Sequence, residues 1–369
     1  MKAVVLGVGK MGTAIAWAMD KLGFDQVLGM DTDRDAADNI SHLKSSQFLV
    51  VDDIQDIFKG ITLTNKADIV ISSLPYHQTE EVALWCIEND LRYCDLGGRV
   101  DVSSSINAAA ILHSSKPVFT DLGLAPGWVN ILAEEGCRKI HGQAEDVRMM
   151  VGGLPDYLDS RNNPLRYAIT WSVDGLINEY KDDCVVIEEG KIETVKGMEG
   201  LEEIEGQKFG RMEAFYTSGG ASHSIHSMLS RGVKNCSYKT IRYKGHRDIV
   251  KFLIKDCGLD DETLNKIFLD GCGVANKDEV LIVAEVKGED KTWKQEKVIK
   301  SDERFSAMQK STAFPISSAA SLMAEGIFDG NKDQHRDHYT QYPKNLSYRD
   351  VPFDEFNKRL KILGLTEDE

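Results

Sequence analysis

The sequence lacks any apolar run approaching the ~18 residues that a membrane-spanning helix requires. No secretory leader is expected either, because Ala3-Val4-Val5-Leu6 is too short for the apolar core of one and runs straight into glycines. A disulfide framework is missing. Cys86, Cys94, Cys137, Cys184, Cys236, Cys257 and Cys272 contain no CxxC pair, so they read as reduced thiols, mostly small core residues. Nor is there an excess of positive charge. The 44 Lys and Arg stand against 59 Asp and Glu, and a net charge of −15 argues against nucleic acid or an anionic membrane as partner. A cytoplasmic protein is expected. His223/His226 and His335/His338 have the i, i+3 spacing of paired ligands, but neither pair has a third ligand in pattern, so no metal centre is expected. Internal repeats and low-complexity linkers are absent.

What is present is a globular composition, 42% hydrophobic over 369 residues, a length that favours two domains. Up to about residue 121, short β-rich runs alternate with helical spacing. Strands are expected at Ala3–Leu6, Val27–Met30, Phe48–Val51, Ile69–Ser73, Arg92–Asp95 and Pro117–Asp121. Helices are expected at Met11–Leu22, Asp33–Leu43, His77–Asn89 and Val102–Ser114. This alternation specifies an α/β chain with a Rossmann doubly wound parallel sheet.

Beyond Gly127 a helix (Val129–Ile140) leads into longer alternating strands: Asp146–Gly152, Tyr238–Tyr243 and Glu279–Val286. Hairpins are expected at Glu189-Gly190 and near Gly288-Glu289-Asp290. The pattern reads as a second α/β domain of mixed sheet. Glu188–Glu205, with seven acids against two lysines, reads as a solvated loop. A long helix over Phe305–Phe328, with Pro315 near its start or kinking it, precedes a polar, aromatic tail with helical spacing at Phe353–Leu363. The expected domains are 1–125 for a dinucleotide, 126–312 for substrate and dimerisation, and 313–369 returning to the first.

Gly7-Val8-Gly9-Lys10-Met11-Gly12 is a GxGxxG that follows an apolar strand and opens an amphipathic helix. Gly7 permits the tight turn, Gly9 lets the backbone approach a pyrophosphate, and Gly12 allows close helix–strand packing. The pyrophosphate then sits at the positive end of the helix, beside Lys10 and Met11. Asp31 lies 19 residues after Gly12, where its carboxylate accepts adenosine ribose hydroxyls and repels the 2′-phosphate of NADP. Helix capping is the bland alternative for Asp31, and Arg34 leaves an opening for NADP. The expected cofactor is NAD in preference to NADP. Thr32 and Asp52, and Ser73-Leu74-Pro75 after the fourth strand, complete the expected cofactor edge. Asp95-Leu96-Gly97-Gly98 and Asp121-Leu122-Gly123-Leu124-Ala125-Pro126-Gly127 leave the same edge, although Gly and Asp are also ordinary turn residues.

Asp121–Gly127 with Trp128-Val129-Asn130-Ile131-Leu132-Ala133 resembles the D-x-G-x-x-P-G-x-x-N-x-L-A segment of the saccharopine dehydrogenase-like family. Within it the chain is most similar to the L-lysine 6-dehydrogenases. The likeness continues through Asp95–Gly98, Val151–Pro155, Trp171–Leu176, Glu213–Gly220 and Lys239–His246. It covers roughly residues 1 to 325, and the last forty or so match nothing. The resemblance implies a homodimer, a second domain that binds an amino acid, and NAD(P)-dependent chemistry at a C–N bond. For the lysine type, the ε-amine becomes an imine or aldehyde.

Such chemistry needs a neutral amine, whose pKa is ~10.4 when free, so a general base or a desolvating pocket is required. Arg242 is the candidate for the substrate carboxylate, with a surface salt bridge as its bland reading. His246 is a candidate base or water activator, or a plain helix N-terminal residue. Asp121 and Asp95 are candidates to hold the substrate ammonium or take its proton, and Thr217, Ser218 and Tyr243 to line the pocket. Two alternatives stay open. One is a saccharopine- or carboxynorspermidine-type reductase, for which Arg99, Arg161, Arg166 and Arg211 are available. The other is a non-catalytic NAD-binding regulator.

Overall fold

Short runs that are apolar on both sides can be buried only in a parallel sheet covered by helices. In the computed structural model of the protein, Lys2–Leu6 (β1), Gln26–Asp31 (β2), Ser46–Val50 (β3), Ile69–Ser72 (β4), Tyr93–Asp95 (β5) and Val118–Phe119 (β6) fold this way. They form one sheet in the order β3-β2-β1-β4-β5-β6, with every pairing parallel. This is the doubly wound arrangement expected from the alternation. The structure describes residues 1–365 apart from 65, 141, 157–159, 161, 207–208, 274, 276 and 330–343. His335, His338 and Arg161 therefore lie outside the described residues.

The crossovers are helices Lys10–Lys21 (α1), Ile54–Leu63 (α2), Tyr76–Glu88 (α3) and Val100–His113 (α4). α2 was not expected. Its Asp53 cap accepts the Asp56 N–H, and it buries Ile57, Phe58 and Ile61. The expected helix over Asp33–Leu43 is instead a short 3₁₀ turn, Arg34–Asn39. There the Asp33 side chain accepts the Asp35 N–H, and Ala36 is its one buried residue.

The chain divides into two compact units, Met1–Trp128 with Ser311–Glu367, and Val129–Lys310. In the first, Trp17 of α1 stacks on Phe314 with centroids 5.5 Å apart. Phe314 belongs to the long helix Ala307–Ala324, which carries Pro315 inside it. Residues after 343 run beside β6. Val118 N–H donates to Lys344 O (2.8 Å) and Leu346 N–H to Val118 O (2.9 Å), and helix Phe353–Ile362 follows.

The second unit is built on an eight-stranded mixed sheet. Its strands are Ala144–Pro155 (β7), Cys184–Glu188 (β8), Lys191–Val195 (β9), Glu202–Gly206 (β10), Gly210–Tyr216 (β11), Asn235–Tyr243 (β12), Asp278–Gly288 (β13) and Thr292–Lys300 (β14). β12 pairs parallel with β7; β8–β9 and β13–β14 are hairpins at the two expected turns. The acidic stretch 188–205 is not a loop, since it contains β9 and the start of β10. Glu193 on β9 and Glu203 on β10 are exposed, and their charge masks the strand pattern. Alternation splits β12 into two faces. Ile241 and Tyr243 join Met150, Leu154 and Leu281 in one apolar cluster. Tyr238, Thr240 and Arg242 take the opposite parity. No helix among the described residues is long and apolar enough to cross a membrane.

The glycine loop generates a paired test. A Cβ on Gly12 would lie 1.7 Å from Gly7 O, whereas one on Gly9 meets nothing within 4 Å. Gly12→Ala is expected to lower the unfolding free energy by about 1–3 kcal/mol in urea titration. Gly9→Ala should leave it within about 0.5 kcal/mol. Equal effects would contradict the packing described.

Candidate functional site

The loop after β1 is drawn tight because Gly7 adopts φ +77°, open to glycine at no steric cost. Ser73, just past β4, donates its hydroxyl to Leu6 O (3.0 Å) and Gly7 O (2.7 Å), fastening two strand ends together. At the end of β2, Asp31 Oδ2 accepts the Val8 N–H (2.6 Å) and Oδ1 accepts the Asp33 N–H (2.9 Å). A carboxylate has further lone pairs, so Asp31 remains able to accept ribose hydroxyls. Gly9 opens α1 onto free space, and Lys10 and Met11 form its first turn. These residues fit a dinucleotide pyrophosphate on the N-terminus of a twelve-residue helix. Thr32 is exposed after Asp31, Asp52 is exposed after β3, and Leu74 and Pro75 lead into α3. Asn39, which sequence reasoning did not single out, donates to Val8 O (3.2 Å) and steadies the loop.

Asp95 and Asp121 come together at the ends of β5 and β6. Asp95 is 2% exposed and Asp121 3%. Asp95 Oδ1 accepts the N–H groups of Gly97 (2.9 Å) and Asp121 (3.0 Å), while Oδ2 is buried without a hydrogen bond. Burial, and then the negative charge of Asp121, push the Asp95 carboxyl up to about 7. Asp121 has φ +61°, a region few non-glycine residues enter, and its Oδ1 accepts the Ser103 hydroxyl (2.6 Å). Ser103 was not anticipated. A Cβ on Gly97 would sit 2.1 Å from that same oxygen, which explains the glycine after Asp95-Leu96.

In the second unit, Arg242 and His246 also meet, in a closed polar cluster. Arg242 Nε donates to Tyr180 Oη (2.9 Å) and Nη1 to Ile241 O (3.0 Å), with the guanidinium 4.9 Å from the Tyr167 ring centroid. His246 is 0% exposed. Its Nδ1 lies 2.6 Å from Leu165 O, which only accepts, so Nδ1 carries the proton and Nε2 accepts from Tyr180 Oη (2.9 Å). Burial, and then the Arg242 charge, push His246 down to about 3. Thr217 and Thr240 share a hydroxyl contact (2.8 Å), and Thr240 donates to Glu179. Ser218 N–H donates to Glu179 O (2.9 Å), and Tyr243, on the other face of β12, donates to Pro155 O (2.9 Å). Tyr167, Glu179 and Tyr180 were missed; Glu179-Tyr180 lies directly beyond the Trp171–Leu176 motif, the one signal that pointed to them. Among the described residues no three His, Cys, Asp or Glu side chains gather as metal ligands.

Two outcomes are expected. In the folded chain Asp95 keeps its proton up to about pH 7, whereas unfolded it releases it near ~3.9. The native state thus binds the extra proton, and stability relative to Asp95→Asn should fall as pH rises from 4 to 7, by up to ~1.4 kcal/mol per unit. A flat difference in denaturant titrations would contradict this. Tyr180→Phe removes both an acceptor from Arg242 and a donor to His246, so a loss of about 2–4 kcal/mol is expected by the same method. No loss would break the relay.

Two family models match this chain: the saccharopine dehydrogenase NADP binding domain over residues 3–121, and the saccharopine dehydrogenase C-terminal domain over 123–341. The NADP-utilising, L-glutamate-forming saccharopine dehydrogenase of Saccharomyces cerevisiae is 26% identical over 214 residues, 54% of this chain and 46% of that one. The mitochondrial alpha-aminoadipic semialdehyde synthase of Mus musculus is 30% identical over 143 residues, 37% of this chain and 15% of that one. The aligned stretch spans about half of the yeast protein and less of the mouse one. The solved apo saccharopine dehydrogenase (L-Glu forming) of S. cerevisiae shares the fold, with TM-score 0.67 at 17% identity, covering 97% of this chain and 96% of that one. With both matches in order along one Rossmann sheet and one mixed sheet, the chain belongs to the saccharopine dehydrogenase family.

Proposed function

We propose that the chain is an NAD-dependent oxidoreductase acting on a C–N bond of an amino acid, with the ε-amine of L-lysine as leading substrate. The observation that carries this reading is the buried Asp95–Asp121 pair on the sheet edge that also carries Gly7, Asp31 and Ser73. All leave the carboxyl ends of parallel strands, where ligands of open α/β sheets bind. Bound at the glycine loop, the dinucleotide supplies the hydride acceptor.

The chain's own residues do the rest. The α1 N-terminus holds the pyrophosphate, and Asp31 accepts from the ribose. Its negative charge, reinforced by Asp33 and Asp35 in the next turn, disfavours a 2′-phosphate, which supports NAD although the family model and the yeast relative are named for NADP. Asp95 titrates near neutrality at a site closed to bulk water, so it suits taking a proton from a substrate ammonium and returning it. His246 suits this less: with both ring nitrogens bonded and its basicity suppressed, it holds Tyr180 and Arg242 in place. Within that cluster Arg242 is itself buried and donates to Tyr180 and to Ile241 O.

A smaller substrate is favoured because two of the arginines offered for a larger one already have partners, Arg99 with Asp101 and Arg166 with Lys244 O. A saccharopine-type substrate carries additional carboxylates, and an arginine recruited to one of them would first have to leave its present partner. That second reading rests on the yeast relative, and one assay separates the two. With NAD, L-lysine, saccharopine and other diamino acids are each supplied while NADH absorbance is followed. Turnover on lysine is expected, turnover on saccharopine supports the second reading, and none on any substrate would remove the oxidoreductase reading. Calorimetry with NAD and NADP should show NAD binding tighter, and Gly9→Ala should abolish binding of either. Tighter NADP binding would overturn the role given to Asp31.

A further inference from the structure

Residues 344–350 lie beyond both family matches and return to the end of β6. Their register is fixed at both ends. Val118 bonds with Lys344 and Leu346 and forms a parallel bridge with Asn345. Ser347 closes a capping box with Asp350, its N–H and hydroxyl both donating to Oδ2 at 2.8 Å. Between these anchors Tyr348 is 1% exposed, its ring 5.7 Å from that of Phe119. Its hydroxyl donates to Asp121 O at 2.9 Å, across 227 residues of sequence. A buried phenol needs a partner, and this one meets the main chain of the residue held at positive φ.

We propose that this C-terminal segment positions the acid pair, with Tyr348 fixing the peptide of Asp121 so that its N–H stays on Asp95 and its carboxylate on Ser103. Tyr348 bonds the main chain of Asp121 and acts through that residue, so it is a positioning residue. The inference rests on the acid-pair reading above. The titratable groups facing Asp95 are Asp121 from the loop after β6, and Tyr93 and Cys94 from β5. The hydrogen bond from Asp121 N–H favours ionised Asp95. Loosening it should therefore raise the pH at which Asp95 loses its proton.

The experiment compares full-length wild type, Tyr348→Phe and Asp95→Asn, the last as the reference that lacks the titrating group. Denaturant titrations across pH 4–9 read the Asp95-linked midpoint, and steady-state kinetics read kcat, KM and cofactor affinity. For Tyr348→Phe the midpoint should move up by about 0.5–1 unit, the equivalent of one weakened hydrogen bond. Its kcat should fall about tenfold with dinucleotide affinity unchanged. A Tyr348→Phe chain that is less stable by the same amount at every pH, with the midpoint of wild type, overturns the proposal and leaves Tyr348 as packing. A moved midpoint with fully active Asp95→Asn upholds the positioning and overturns the catalytic reading of the pair instead.

Discussion

Two backbone N–H groups, those of Gly97 and Asp121, converge on one buried oxygen of Asp95, and the far side of the first unit is arranged around that convergence. It joins the end of β5 to the end of β6. It turns Asp121 into a left-handed conformation and demands a glycine at position 97 to make room for the Asp121 carboxylate. Burying two acids is offset in part: one oxygen of Asp95 accepts two N–H groups, burial and the Asp121 charge raise its affinity for a proton, and Ser103 donates to Asp121. The glycine loop is organised on the same principle. Asp31 gathers the N–H groups of Val8 and Asp33, and Ser73 closes on the carbonyls of β1. Both clusters use polar groups at strand ends, where the ladder leaves donors and acceptors to be satisfied.

The second unit solves a different problem, a guanidinium buried under a sheet. Arg242 is surrounded by Tyr167, Tyr180 and Glu179, and the charge is spread over aromatic faces and hydroxyls before it reaches a carboxylate 4.0 Å away. His246 completes this order by staying neutral. Its proton is committed to Leu165 O, which leaves Nε2 to receive the Tyr180 hydroxyl and aligns that oxygen toward Arg242. The hydrogen bonds therefore run in one direction from Arg242 to a backbone carbonyl.

Much of the first unit was legible because its signals were local. The six strands, the GxGxxG turn and the Asp31 spacing each lie within a few dozen residues, and the Glu189-Gly190 turn announced a hairpin. α2 escaped because Ile54–Leu63 mixes β-branched residues with Gly60, which blurs helical spacing. The acidic stretch 188–205 hid two strands because charge on exposed edge positions reads like solvated loop. Site residues were harder to read. Sequence placed Arg242 and His246 near each other but gave no information on which face of β12 is covered by helices, so their enclosure was not visible. Tyr348 could not be connected to Asp121 at all, since nothing local marks a contact between a tail and a strand end so far apart.

In the proposed reaction, hydride moves from the ε-carbon of L-lysine, which bears an amine, to a dinucleotide on the glycine loop. Isotope transfer reports on that step. The protein is incubated with NAD and L-lysine deuterated at the ε-carbon, and the reduced nicotinamide is recovered and weighed by mass spectrometry. One deuterium is expected in each reduced cofactor. Reduced cofactor without deuterium, or none formed from any amino acid offered, would contradict it.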